Sequence, residues 1–157
     1  MSRTVPASDS YTRLNDIESR LAALERQPLP MQFAFHANTV TATSASYATL
    51  AGSPSLTVTL GASGDAMVIM AANLGIEDVD DTAYLGLQVD GGSTEDIVWS
   101  GATASLIATS GCTVFSLSEL FGSPLTPGSH TFTLRQRGST NGHNFDFSGQ
   151  ALVIWPI

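Results

Sequence analysis

The sequence predicts an all-β fold, an antiparallel β-sandwich with jelly roll as the leading topology, preceded by a short N-terminal coiled-coil helix. Three observations predict it. From Met31 onward apolar residues recur with period two, in short runs separated by the turn clusters GASGD, DGGSTED, GSPLTPGS and RGSTNGHN. No long helical pattern lies between those runs. Ahead of Pro28 the period is different, because RLNDIESRLAALE spaces its large apolar residues three, four and three apart. The expected organisation is a docking segment at 1–8, a coil at 9–27 and a β head at 28–157.

The coil comes first. With Leu14 at heptad position a, Ile17 falls at d, Leu21 at a and Leu24 at d, one narrow stripe on a helix. Arg13 and Arg20 then occupy g, and Glu18 and Glu25 occupy e. In a parallel coil each g meets the following e of its neighbour, so Arg13 faces Glu18 and Arg20 faces Glu25 of the next chain, both attractive. Leu at a with Ile at d leans toward three or more strands. Asp9 or Ser10 can cap the helix start, and Pro28 and Pro30 end it. The pattern Arg-apolar-x-x-apolar-Glu occurs twice, and it resembles the short trimerisation motif of parallel three-stranded coiled coils. The competing reading is an amphipathic helix lying on its own β domain, which would call for a wider apolar face. Two heptads span only ~21 Å and are marginal alone. A trimer would therefore draw most of its interface from the head, with the coil setting register.

The strands follow in order. MQFAFHA alternates Met31, Phe33 and Phe35, and SLTVTL alternates Leu56, Val58 and Leu60. AMVIMAA is continuously apolar, which fits a central strand. AYLGLQVD, EDIVW, ASLIATS and CTVFSLSEL follow, and FSLSELFGSPL has room for one helical turn. HTFTLRQR sets Phe132 and Leu134 against Thr131, Thr133 and Arg135, and NFDFSGQALVIWPI ends in a strong apolar strand. Leu152–Ile157 and Met67–Met70 have too many consecutive apolar residues for one buried and one wet face. Both predict strands that serve the sandwich core and a subunit interface together, with Trp155 in that interface.

Charge narrows the partners. The chain has 14 Asp and Glu against 6 Arg and no Lys. The first thirty residues balance, whereas the head sets ten acids against Arg135 and Arg137 alone. A negative head argues against nonspecific binding to nucleic acid or an anionic membrane. The start MSRTVPASDS has no apolar signal region, and no run reaches a membrane span. The expectation is synthesis in a cytoplasm, with no membrane insertion. Cys112, the single cysteine, rules out an intrachain disulfide and is expected as a small buried hydrophobe.

The search for chemistry is mostly negative. His36, His130 and His143 lack zinc spacing, and His130 is expected to cap or pack at its turn. The absence of Lys excludes a phosphate-binding Gly loop of the Lys-bearing type. Glu77, Asp78, Asp80 and Asp81 are dense enough in oxygen to be weak calcium candidates, though EF-hand spacing is absent and a solvated loop is favoured. Asp90, Glu95 and Asp96 form a second acidic tip with the same reading. Trp99 and Trp155 could stack on a sugar, but packing is favoured. Glu119 and Asp146 are the acids a hydrolase reading would have to pair.

The segment LTPGSHTFTLRQRGSTNG, with FDFSGQALVIWPI after it, is similar to the closing strands of β-sandwich domains of phage tail, tip and fibre proteins. Leu125, Thr126, Gly128, His130, Thr131, Leu134 and Arg135 carry the likeness. The plan of short coil then compact jelly roll also looks like trimeric tumour-necrosis-factor-like heads. The resemblance implies a virion-surface homotrimer, minor tail or fibre in type, docked on another virion protein through its N-terminal segment. A capsid decoration protein on threefold sites and a carbohydrate-binding module contacting a host-surface glycan are the alternatives. No enzyme activity and no cofactor are expected.

Overall fold

The structure is a computed structural model that describes residues 15–20, 30–76, 81–92, 94–98 and 109–157. Residues 15–20 form a helix, α1. The strands are β1 (Gln32–His36), β2 (Val40–Ala42), β3 (Ser55–Leu60), β4 (Ala66–Ile76), β5 (Ala83–Val89), β6 (Thr94–Val98), β7 (Thr109–Ser116), β8 (Gly128–Gly138) and β9 (Phe145–Pro156), with one helical turn, α2 (Leu117–Phe121), between β7 and β8.

The strands make two antiparallel sheets. The first has the order β1-β9-β4-β7, with β2 also on β9, and the second has the order β3-β8-β5-β6. From β3 onward the chain passes repeatedly from one sheet to the other, and the two orders together are those of a jelly roll. The long strands β4, β8 and β9 lie inside their sheets, which explains why β4 and β9 have the most apolar sequences.

Strict alternation builds the core. Val68 and Met70 of β4 and Leu152 and Ile154 of β9 meet Phe132 and Leu134 of β8 and Leu85 and Leu87 of β5, all fully buried between the sheets. Phe145 and Phe147 close one end. The ring of Phe145 lies where a Cβ on Gly138 would sit, 1.9 Å away, so only glycine fits there. Gly64 plays a similar part at a turn. It has φ +66, and a Cβ there would come within 1.8 Å of the Leu125 carbonyl.

A buried polar link crosses the sandwich: Gln136 of β8 donates to the Gln150 side-chain oxygen of β9, and Ser53 Oγ donates to Gln136 Oε1 at 3.0 Å. Desolvated amides of this kind are costly without partners, so the pair disfavours slipped sheet packings. Helix α2 starts with a capping box, Ser116 Oγ accepting from Glu119 N and Glu119 Oε2 accepting from Ser116 N. Asp65 receives the Ser118 N–H and hydroxyl. Burial works against the Asp65 carboxylate, but these donors outweigh it and hold its pKa below the ordinary value.

Several expectations change. Cys112 is exposed, because it points outward from the edge strand β7. Glu119 sits in α2 rather than in a strand, where its carboxylate serves the cap. Leu152–Ile157 divides its residues between the core and the outer face by strict alternation. Leu152, Ile154 and Pro156 face inward, whereas Trp155 and Ile157 are 46% and 58% exposed. The predicted coil residues Arg13, Leu14, Leu21, Leu24 and Glu25 lie outside the described residues, as do Glu77, Asp78, Asp80 and Trp99.

Candidate assembly interface

The two sheets present opposite kinds of outer surface. Across the first sheet, register places Phe33, Val153, Ile69 and Val114 in one row on β1, β9, β4 and β7. A second row runs Phe35, Ala151, Ala71 and Cys112. A third contains Trp155, Met67 and Ser116. Paired residues in a sheet point to the same side. All three rows therefore share one face, the face away from the core. Phe33, Phe35 and Val114 are 59%, 56% and 52% exposed, with Met31 and Ile157 at the margin. Phe33 and Phe35 stack with ring centroids 6.3 Å apart. None of the residues in these rows is ionisable apart from the Cys112 thiol.

The outer face of the second sheet is polar. Ser55 bonds Thr133 at 2.9 Å and Thr57 bonds Thr131 at 3.0 Å across β3 and β8. Arg135 donates to Gln88 Oε1 and to the Tyr47 carbonyl. The Arg137 guanidinium lies 3.7 Å from the Tyr84 ring centre and 5.0 Å from that of Tyr47. The two arginines of the head are thus used to fasten the 43–53 loop onto β8. A contiguous apolar surface of this kind marks a place where a protein, a membrane or a ligand can bind.

At both ends of the β5–β8 pair a histidine meets an aspartate. Asp90 has φ 51 and follows β5; its carboxylate accepts from the Thr131 N–H at 2.7 Å and contacts His130 Nδ1 at 2.6 Å. His130 Nε2 lies 2.7 Å from the Thr126 carbonyl. Both ring nitrogens face acceptors, which requires the imidazolium. Burial opposes that charge, but the Thr126 carbonyl and Asp90 together raise the His130 pKa above its ordinary value. The Thr131 N–H and His130 in turn lower that of Asp90.

Asp81, just before β5, is held by His143 Nδ1 at 2.5 Å and by the hydroxyls of Ser139 and Thr140. Contact with His143, then the two hydroxyls, lowers its pKa despite its desolvation. The Asp81 carboxylate is therefore engaged with the β8–β9 turn, while the other calcium candidates, Glu77, Asp78 and Asp80, lie outside the described residues. Among the described residues no group of three His, Cys, Asp or Glu side chains could hold a metal. Glu119 and Asp146 have separate local partners, the α2 cap and the Thr41 hydroxyl, rather than each other.

Of the predicted interface residues within the described region, Trp155 lies on the apolar face. Ile17, Glu18 and Arg20 are exposed on α1, with Ile17 at 52%. Arg20 lies 4.0 Å from Asp16 of its own helix. Sequence reasoning found the β4 and β9 contributions through their continuous apolar runs. It missed those of β1 and β7, whose alternation looks the same whether the apolar side faces the core or the solvent.

No protein-family model matches the chain, and no curated protein matches it. The likeness is in structure alone. The VP2 protein of the infectious bursal disease virus subviral particle superposes with a TM-score of 0.54 at 9% identity, over 83% of this chain and 33% of that one. The chain thus spans about a third of the length of VP2, and the match shows a shared β fold. Dimeric latent PorU from Porphyromonas gingivalis (TM-score 0.44, 8% identity, 83% of this chain and 13% of that one) is a more distant similarity. An exo-β-1,3-galactanase from Phanerochaete chrysosporium follows at TM-score 0.35 and 11% identity, over 80% of this chain and 29% of that one. No helix among the described residues is long and apolar enough to cross a membrane.

Proposed function

We propose that the protein is a non-enzymatic structural protein of a phage particle. It assembles as a parallel homotrimer and docks through its N-terminal segment, with the β head displayed. The observation that carries this reading is the apolar outer face of the first sheet. It covers four strands, has no charged residue in the three rows named above, carries Asp146 beyond them beside Gly75 and Thr41, and lies opposite a face that is polar throughout its described rows.

The occupant of that face is argued from its position. The heptad stripe ends at Leu24, and β1 begins at Gln32 with Phe33 and Phe35 on the apolar face. Seven residues reach at most ~25 Å. A stripe that gathers three copies at an axis would therefore hold three β1 edges close to it. Ile17 is half exposed in the single chain, which supports pairing between chains over docking on its own sandwich. The jelly-roll order and the fold shared with a protein of a viral particle support the virion setting, as does the likeness of the closing strands to phage domains.

Sedimentation equilibrium of the whole chain at micromolar concentration tests the reading. A species of three subunits is expected. A monomer with a native melting transition would overturn the assembly, and with it the virion role.

A further inference from the structure

The apolar face is not uniform, and its relief says how copies meet. Along β1 the outward residues are Phe33 and Phe35, stacked and more than half exposed. Beside them, in the row of Phe35, come Ala151, Ala71 and Cys112. Three small side chains in sequence across β9, β4 and β7 leave a shallow floor. Val153, Ile69 and Val114 border it on one side. A ridge at one edge of the sheet thus adjoins a trough over its centre and far edge.

We infer that the Phe33–Phe35 ridge of one subunit seats in the Ala151–Ala71–Cys112 trough of the next around the axis, closing a ring of three. This rests on the trimer reading above. Two different patches meeting head to tail form a heterologous interface, and such an interface closes when the rotation suits a ring. The ridge occupies the strand that leaves the N-terminal stripe, so it is the part of the head held nearest the axis and nearest a neighbour. The aromatic rings supply the apolar bulk that alanines lack, and neither patch brings a charge that would have to be desolvated.

Phe35→Cys in the full chain tests it with the native Cys112 as partner. Within one subunit positions 35 and 112 are three strand spacings apart, about 14 Å, well beyond the ~7 Å a disulfide can bridge. Any bond between them joins two chains. Mild oxidation is expected to give a covalent series that ends at three subunits, with the 35–112 peptide pair found by mass spectrometry. Wild type, carrying Cys112 alone, stays uncrosslinked. A sedimenting trimer without the 35–112 bond overturns the ridge-in-trough contact while leaving the trimer intact, whereas a 35–112 series ending at two overturns the ring of three in favour of a two-fold pair. A wild-type chain that sediments as a monomer instead overturns the trimer reading beneath it.

If Phe35→Cys misfolds, Ala71→Phe carries the test. Filling the trough should weaken trimer association by about tenfold, the lower end of overpacking effects. Unchanged association overturns the contact.

Discussion

Replacing Phe33 with Ser should separate assembly from folding. Phe33 is 59% exposed in the single subunit, and a phenylalanine presents about 200 Å², so roughly 120 Å² remain for a neighbour to cover. At about 25 cal/mol per Å² that area contributes ~3 kcal/mol to each subunit contact, or roughly a hundredfold in the association constant. The part already covered, roughly 80 Å², makes the change cost the isolated subunit up to ~2 kcal/mol. The assay pairs sedimentation equilibrium over a concentration series with thermal melting by circular dichroism. The expected variant keeps a cooperative transition and dissociates at concentrations where wild type stays trimeric. A companion change on the polar face, Thr131→Ser, should leave association unchanged. If Phe33→Ser associates as tightly as wild type, the apolar face does not hold the subunits together and the argument from burial is wrong.

Three further outcomes test the fold. His130→Ala should lower stability by about 1–3 kcal/mol, since it removes a mostly buried partner of two acceptors. The sign of its pH dependence follows from the raised His130 pKa: the clasp contributes fully below pH 6.5 and is lost as pH rises through the folded-state value, so urea melts of wild type and variant should converge in alkali. At the acid end the Asp90 contribution is present above pH 3.8 and is lost as pH falls through its lowered value. Gly64→Ala should destabilise by at least about 2 kcal/mol in chemical denaturation, because a side chain at φ +66 is strained and its Cβ meets the Leu125 carbonyl. Gln136→Leu and Gln150→Leu should each cost about 1–3 kcal/mol and the double change less than their sum, a coupling that a denaturation cycle would measure.

Much of the head was legible in the sequence because period-two alternation and turn clusters are local signals. The helical turn at Leu117–Phe121 was also visible, and Ser116 with Glu119 three residues on is its capping box. The site was legible only in part. Met67–Met70 and Leu152–Trp155 betrayed themselves because both sides of the strand are apolar. In β1, Phe33 and Phe35 alternate with Gln32, Ala34 and His36, a pattern that assigns the phenylalanines to the core. The structure turns them outward, and which side of an edge strand faces the core is decided by its pairing with β9, a contact more than a hundred residues away in sequence. The two Asp–His clasps were hidden for the same reason. Asp90 reaches His130 across 40 residues and Asp81 reaches His143 across 62, so no spacing rule could join them.

The division of labour along β4 and β9 bears directly on the assembly argument. Val68, Met70, Leu152 and Ile154 are fully buried and hold the two sheets together. Met67, Ile69, Val153 and Trp155 alternate with them on the same strands and face outward. On β3 and β8 the outward positions are largely threonine and serine, which keep that surface wet; on β4 and β9 they are apolar instead, as the proposed trimer requires. Apolar side chains on both faces of two central strands are what a subunit needs when one face must be dry in the assembly and the other in the fold. Changes to the inward set should therefore lower melting and association together, whereas changes to the outward set should act chiefly on association. A substitution at Trp155 that melted the subunit while leaving its association untouched would reverse that assignment.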